Sequence, residues 1–405
     1  MGRFTNRPFL KALIASALGI NLFVVTLLVS VFIFYEILNF NSSNAVLYLV
    51  KDQNGWIRAT DDLNFDESHK LLFMIDATAV FRFLEGLAAS TYHSPFIETS
   101  WNKEKGSGVL KELRPDGTKF LVVLSRYEEE KNSPKGLFIG GDLQFGDMDR
   151  INDRGRNNTG ISFYNGNQWL HIWCSINESL TIKGIEKVIN PVDWLYSGSR
   201  VVRSSQNEVI LESSHSYSTI GADGVPVRMQ MTRTLYKRKG DNYVVFKVEF
   251  TNATYKEIEY FYRWGDEPWV GEFGDSSGDV GWTSGKVFRR ESYILPVIDS
   301  FAGFWDYGND LAGEQHKFSN YANFVEWLAN PPTVVYFSNS LSLQEFKEGN
   351  VLSSRDNRII NLVWLNEHLK PGETKSHVLA LGMAKPDQYT GFPVKPEVHP
   401  HTGIP

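Results

Sequence analysis

Between Gly265 and Trp282 the chain reads GDEPWVGEFGDSSGDVGW, which places five glycines, five carboxylates and three aromatic residues in eighteen positions. Asp266 and Glu267 are adjacent carboxyl groups, and two such groups in different surroundings can divide acid from base work, so both are candidate catalytic residues. Trp269 and Trp282 would offer flat apolar faces to sugar rings. Glu272, Asp275 and Asp279 would accept hydrogen bonds from hydroxyls, and the glycines would let a ligand approach the backbone closely. That is the chemistry of a carbohydrate, bound or modified. The competing reading is a compact surface loop whose tryptophans pack on the body of the protein and whose acids are merely solvated.

Other chemistries find less support. Calcium takes 6–8 oxygen ligands, and Asp275 and Asp279 show no recognised loop spacing for it. No His-x-x-x-His or cysteine pair gives zinc spacing, and no glycine loop of the nucleotide-binding type is present, so neither a metal nor a cofactor is expected. The single cysteine, Cys174, and its neighbour His171 lie in the alternating run QWLHIWCSI, where a cysteine is expected as a small buried hydrophobe. In GDMDRINDRGRNNTG, Gly146 to Gly160, Asp147, Asp149 and Asp153 alternate with Arg150, Arg154 and Arg156. Mixed signs at that density predict a self-paired solvated loop.

The elements around these residues read mainly as β-structure. From Val109 onward, short runs rich in Val, Ile, Tyr, Phe and Trp are punctuated by Gly, Asn, Asp and Pro, the pattern of a large antiparallel β-sandwich over 109–384. Lys239-Gly240-Asp241-Asn242 and Asn165-Gly166 each join two such runs, because these residues tolerate the positive φ of tight hairpins. The apolar run Leu71 to Ala89 carries Thr78, Arg82, Glu85 and Ala89 at helical spacing, which predicts a helix lying on a sheet, with paired strands as the alternative. It falls in a mixed segment, 36–108. The last stretch, 385–405, holds five prolines within PDQYTGFPVKPEVHPHTGIP and little that packs, so an extended tail is expected, with docking to a protein partner as a further option.

Ala12 to Tyr35 runs without a charge, and at about 1.5 Å of rise per residue a helix of that length spans a hydrocarbon core of ~30 Å. A single N-terminal transmembrane helix over 12–35, held in the lipid bilayer, is expected. The short basic segment 1–11, with Arg3, Arg7 and Lys11, would stay in the cytoplasm. The bulk of the chain would then lie outside it, and the lone cysteine, which excludes an intramolecular disulfide, favours the periplasmic side of a cell inner membrane. Beyond residue 35 there are 38 Lys and Arg against 47 Asp and Glu. That acidic balance argues against nucleic acid as a partner.

Two segments resemble the galactose mutarotase-like superfamily: TRTLYKRKGDNYVVFKVEFTNATYKEIEYFYRW, Thr232 to Trp264, and LVWLNEHLKPGETKSHVLALGMA, Leu362 to Ala384. The resemblance implies a two-sheet supersandwich and a sugar site on the loop that follows the Thr-Asn strand, here Gly265-Asp266-Glu267-Pro268-Trp269. The histidine that the family's epimerases carry in that region is absent. The expectation is a membrane-anchored extracytoplasmic protein that binds or modifies a carbohydrate of the cell envelope. The alternative is a non-catalytic assembly or interaction module of a membrane protein complex.

Overall fold

A computed structural model describes residues 46–51, 57–60, 70–76, 97–99, 101–127, 133–141, 159–174, 176–205, 207–271, 278–307, 318–352 and 358–399. The apolar segment 12–35, the loop 146–158, and the site candidates Glu272 and Asp275 lie outside the described residues. Among the described residues, no helix is long and apolar enough to cross a membrane.

The chain divides into two compact units, 1–92 and 93–405. In the first, β1 (Val46–Lys51) pairs antiparallel with both β2 (Ile57–Thr60) and β3 (Lys70–Asp76). Strand β3 corrects the helix expected over Leu71 to Ala89, whose remaining residues are not described. A continuous apolar run such as LLFMI carries no periodicity that separates a strand from a helix.

Among its described residues the second unit is all β apart from one turn of 3-10 helix at Pro191–Asp193. It opens with β4 (Ile97–Thr99), β5 (Gly108–Leu113), β6 (Lys119–Leu124), β7 (Ile161–Tyr164) and β8 (Trp169–Trp173), which pair in chain order as a five-stranded antiparallel sheet. The chain continues through β9 (Asn177–Ile182), β10 (Leu195–Ser204), β11 (Glu208–Ile220), β12 (Pro226–Arg238), β13 (Tyr243–Asn252), β14 (Ile258–Asp266), β15 (Asp279–Thr283) and β16 (Lys286–Phe288). It closes with β17 (Ser292–Ile294), β18 (Phe301–Asp306), β19 (Ala322–Ala329), β20 (Val334–Ser338), β21 (Ile359–Leu369), β22 (Thr374–Pro386) and β23 (Pro393–Val394). A ten-stranded sheet runs β10-β11-β12-β13-β22-β19-β18-β15-β16, with β23 paired to β22, and a second five-stranded sheet runs β17-β20-β21-β14-β9. Both hairpins expected from sequence are present, with Gly166 at φ +98° and Gly240 at φ +85°.

The central strands of the large sheet bury both faces, which is why they read as unbroken apolar runs rather than as alternation. In β13, Val244, Phe246, Val248 and Phe250 point into the main core, while Tyr243 and Val245 belong to a separate apolar cluster on the opposite face. Trp282, Phe301, Trp305, Phe324 and Ala380 join that second cluster.

The C-terminal segment covers it. Phe392 and Val398 pack on the cluster, β23 pairs with β22, and Lys395 makes an ion pair with Glu326 at 2.6 Å. The expectation of a loose tail is corrected for residues 385–399: two apolar side chains among the prolines suffice, because a ready-made aromatic surface receives them.

Candidate functional site

The described part of the loop after β14 is a lock between sheets more than a mouth. Asp266 is 1 % exposed; its Oδ2 accepts the backbone N–H of Cys174 at 2.8 Å, and its Oδ1 is buried without a partner. Burial, helped by the nearby Glu267 charge, pushes this carboxyl well above the usual range. Cys174 in turn donates its thiol to the Pro268 carbonyl at 3.3 Å, and burial followed by the neighbouring carboxylates pushes that thiol up. It is the inert buried cysteine that its strand position suggested.

Beyond it, Trp269 takes φ +48° and is half-buried, and the Val270 N–H donates to Asp279 Oδ2 at 3.0 Å. Gly271 and His171 exchange backbone hydrogen bonds of 3.0 Å in both directions. The glycine is required there, since its φ is +113° and an added Cβ would meet Asp306 Oδ2 at 2.2 Å.

Three assignments change on this geometry. Trp282 is 2 % exposed, packs edge-on against Phe301 and donates its indole N–H to the Asn323 carbonyl at 2.9 Å, so it fills the core and offers no face to a ligand. Asp266 and Asp279, each 1 % exposed, are anchors for backbone N–H groups and not groups that a substrate meets. Of the described candidates, only Glu267 and Trp269 reach the surface in part.

An open polar cleft lies elsewhere in the same unit. Its first wall is the β4–β5 turn, where Asn102 Oδ1 accepts the N–H groups of Glu104 and Lys105 at 3.0 and 2.9 Å. Its floor is the end of β6. There Ser125 turns the chain at φ +49°, donates its N–H to the Phe138 carbonyl at 2.8 Å, and sends Arg126 and Tyr127 along the cleft. The far wall is Ser133 and Lys135.

The Lys135 carbonyl lies 2.8 Å from His215 Nε2, and because a carbonyl only accepts, that nitrogen carries the proton. Burial lowers His215 to about 4, so the ring is neutral at pH 7. Gly136 makes this contact possible: at φ +105°, an added Cβ would sit 2.3 Å from the same nitrogen. Tyr196 braces the first wall by donating to the Lys103 carbonyl at 2.7 Å, with Ser199 Oγ also at 2.7 Å.

The cleft holds about 550 Å³, within the range of small-ligand sites. Ser125 stands out in it. The residue is 3 % exposed, its Oγ is buried with no hydrogen-bond partner, and a serine in the left-handed region is strained. Sequence reasoning missed this site because serine is an ordinary residue after an apolar strand, and nothing in KFLVVLSRY announces a positive φ.

No protein-family model and no curated protein sequence matches the chain. Among solved structures it is similar to a galactose mutarotase-like protein from Clostridium acetobutylicum, at 10 % identity and a TM-score of 0.36 over 71 % of this chain and 98 % of that one. It is also similar to a protein named as an aldose 1-epimerase from Klebsiella pneumoniae, at 11 % identity and a TM-score of 0.34 over 71 % of this chain and 83 % of the other. A third is a GH36 alpha-galactosidase from Geobacillus stearothermophilus in complex with raffinose, at 10 % identity and 0.32, over 69 % of this chain and 40 % of the other. The first carries the name of the group that Thr232–Trp264 resembles.

Proposed function

We propose that this chain binds a carbohydrate in the cleft above Ser125, and that it does so from a membrane-anchored position outside the cytoplasm. The observation that carries the binding reading is the Ser125 hydroxyl, buried without a partner on the floor of an open polar cleft. Leaving such a group unsatisfied costs about 1–3 kcal/mol, which a ligand hydroxyl would recover. A polyol also suits the remaining lining, since Ser107, Ser133, Asn102 and Arg126 alternate donors with acceptors around it.

Removing the hydroxyl separates binding from folding. Ser125→Ala is expected to weaken glycan affinity roughly tenfold, the equivalent of one buried hydrogen bond, while the unfolding midpoint of the free protein rises, because the unsatisfied hydroxyl is gone. Calorimetry against hits from a glycan array measures the first, and thermal unfolding the second. Unchanged affinity in the variant would move the site away from this cleft.

The anchored, extracytoplasmic position rests on the uncharged run 12–35 and on Arg3, Arg7 and Lys11 before it. Protease added to spheroplasts is expected to digest the β-structured unit and spare the anchor. Protection of that unit would reverse the orientation and put the chain's bulk in the cytoplasm.

A further inference from the structure

Arg263 on β14 is a half-buried cation with no carboxylate paired to it among the described residues. Its Nη1 donates to the Leu341 carbonyl at 2.7 Å, its Nε is buried without a partner, and burial holds the guanidinium below its usual pKa. A guanidinium withdrawn from water ordinarily finds an acid, because an unpaired buried charge is costly.

Two more unpaired polar atoms share its face of the sheet. Gly265, Asn361 and Tyr336 form one cross-strand row through β14, β21 and β20, on the side opposite Trp264, Leu362 and Val335 in the main core. Arg263 lies two residues from Gly265 on that same side. Asn361 and Tyr336 are fully buried, yet Asn361 Oδ1 and the Tyr336 hydroxyl have no hydrogen-bond partner. Asn361 Oδ1 sits over Gly265, where an added Cβ would meet it at 2.6 Å, so β14 is kept bare to receive it. The Tyr336 hydroxyl is near enough to the guanidinium for their charges to interact.

A loop roofs this group. Glu291 pins both of its ends, accepting the N–H groups of Asn339 at 2.8 Å and Lys347 at 2.7 Å, and Phe346 packs on Tyr336 with ring centroids 5.3 Å apart. Between the pins the Leu341 carbonyl meets Arg263. A carboxylate bonds a guanidinium more strongly than a neutral carbonyl does, so a small acid displaces it.

We infer that Arg263, Tyr336 and Asn361 form a binding site for a small 2-hydroxy carboxylate, admitted as the loop 339–347 lifts. The carboxylate accepts from Arg263 and from the Tyr336 O–H, while the ligand hydroxyl donates to Asn361 Oδ1, which only accepts. One cation matches a monoanion, whereas a phosphate dianion would keep a charge unmatched. None of the three residues lines the cleft above Ser125, so this site stands or falls apart from the sugar reading.

Modification of the full chain by phenylglyoxal, an arginine reagent, tests this when the modified peptides are quantified by mass spectrometry. Arg263 is expected to react without ligand. Glycolate is expected to protect it at concentrations roughly tenfold below those needed for acetate, which lacks the hydroxyl and so one buried hydrogen bond. Glycolamide, which lacks the charge, should not protect, and inorganic phosphate should protect no better than acetate. Asn361→Leu should bring glycolate to the level of acetate and leave acetate unchanged; the comparison of ligands on the unaltered chain decides independently of that variant.

An Arg263 that resists the reagent with and without ligand would show that the loop does not lift, and the site is refuted. Glycolamide protecting as well as glycolate refutes the charge, acetate protecting as well refutes the role of Asn361, and phosphate protecting better refutes the carboxylate. If no acid protects Arg263, there is no such site.

Discussion

Arg233→Ala is expected to cost roughly 3–5 kcal/mol, a large share of the stability of a typical domain. Arg233 on β12 is fully buried and makes a two-pronged ion pair with Glu178 on β9, at 2.8 and 2.5 Å. Tyr262 on β14 donates to the same carboxylate at 2.9 Å, and Arg233 Nε reaches the Leu137 carbonyl at 2.9 Å. Its guanidinium lies 3.9 Å from the Phe138 ring centroid and 4.6 Å from that of Phe246. One side chain therefore pins the large sheet to the smaller one through the core. Removing it strands the Glu178 charge in an apolar interior, which costs far more than the pair contributes over a well-packed apolar replacement. The double variant Arg233→Met with Glu178→Leu is accordingly expected to recover most of the loss. Urea unfolding followed by tryptophan fluorescence measures both, and a double variant as unstable as the single one would mean that the pair itself, not the orphaned charge, holds the sheets.

Stability is expected to fall steeply as pH drops from about 6.5 to about 4. His171 and His215 are lowered to about 4 and His377 to about 3, each chiefly by burial. His377 is wedged between Tyr260 and Asn330, at 3.1 Å from each, and packs on Trp364. A histidine whose folded pKa lies below its unfolded value costs nothing above pH 6.5. Below it the unfolded chain binds a proton that the folded one refuses, until the folded pKa is reached.

Asp266 works in the opposite sense, because its carboxyl keeps a proton in the folded protein that the unfolded chain releases above about pH 4. Three histidines against one carboxyl leave a net uptake of about two protons on unfolding near pH 5, or roughly 2.7 kcal/mol of stability per pH unit. Urea midpoints measured across that window give the slope directly. A flat profile from pH 6.5 to 4 would show that these rings are protonated in the folded protein. Asp266→Asn, which mimics the protonated acid, should steepen the slope by one proton.

Much of the architecture was legible because its causes are local. Gly240 and Gly166 announce hairpins through the φ they alone tolerate, and the long apolar runs of β13 and β22 announce strands covered on both faces. What was not legible depends on partners distant in sequence. Asp266 reads as a catalytic acid until Cys174, 92 residues away, is seen to need its oxygen. Trp282 reads as a sugar platform until Phe301 is placed against it. The tail reads as loose because the aromatic surface it covers is assembled from five other strands or more. For the site, composition pointed to the loop richest in carboxylates and tryptophan, whereas the open cleft is made of serines, an asparagine and three cations drawn from a turn, a strand end and a connecting segment.

The position of β22 bears on how the protein is made. It lies between β13 and β19 in the ten-stranded sheet, yet in sequence it follows every other strand of that sheet except β23. Until Thr374–Pro386 has emerged from the ribosome, the sheet exists at most as two half-sheets, with β13 and β19 presenting unpaired edges to one another. Pairing across such sequence distances is slow, and open edges invite other chains. The nascent chain therefore needs to be kept from self-association for most of its synthesis, and a ribosome that stops short of residue 374 releases a product with two adhesive edges in place of a closed sheet.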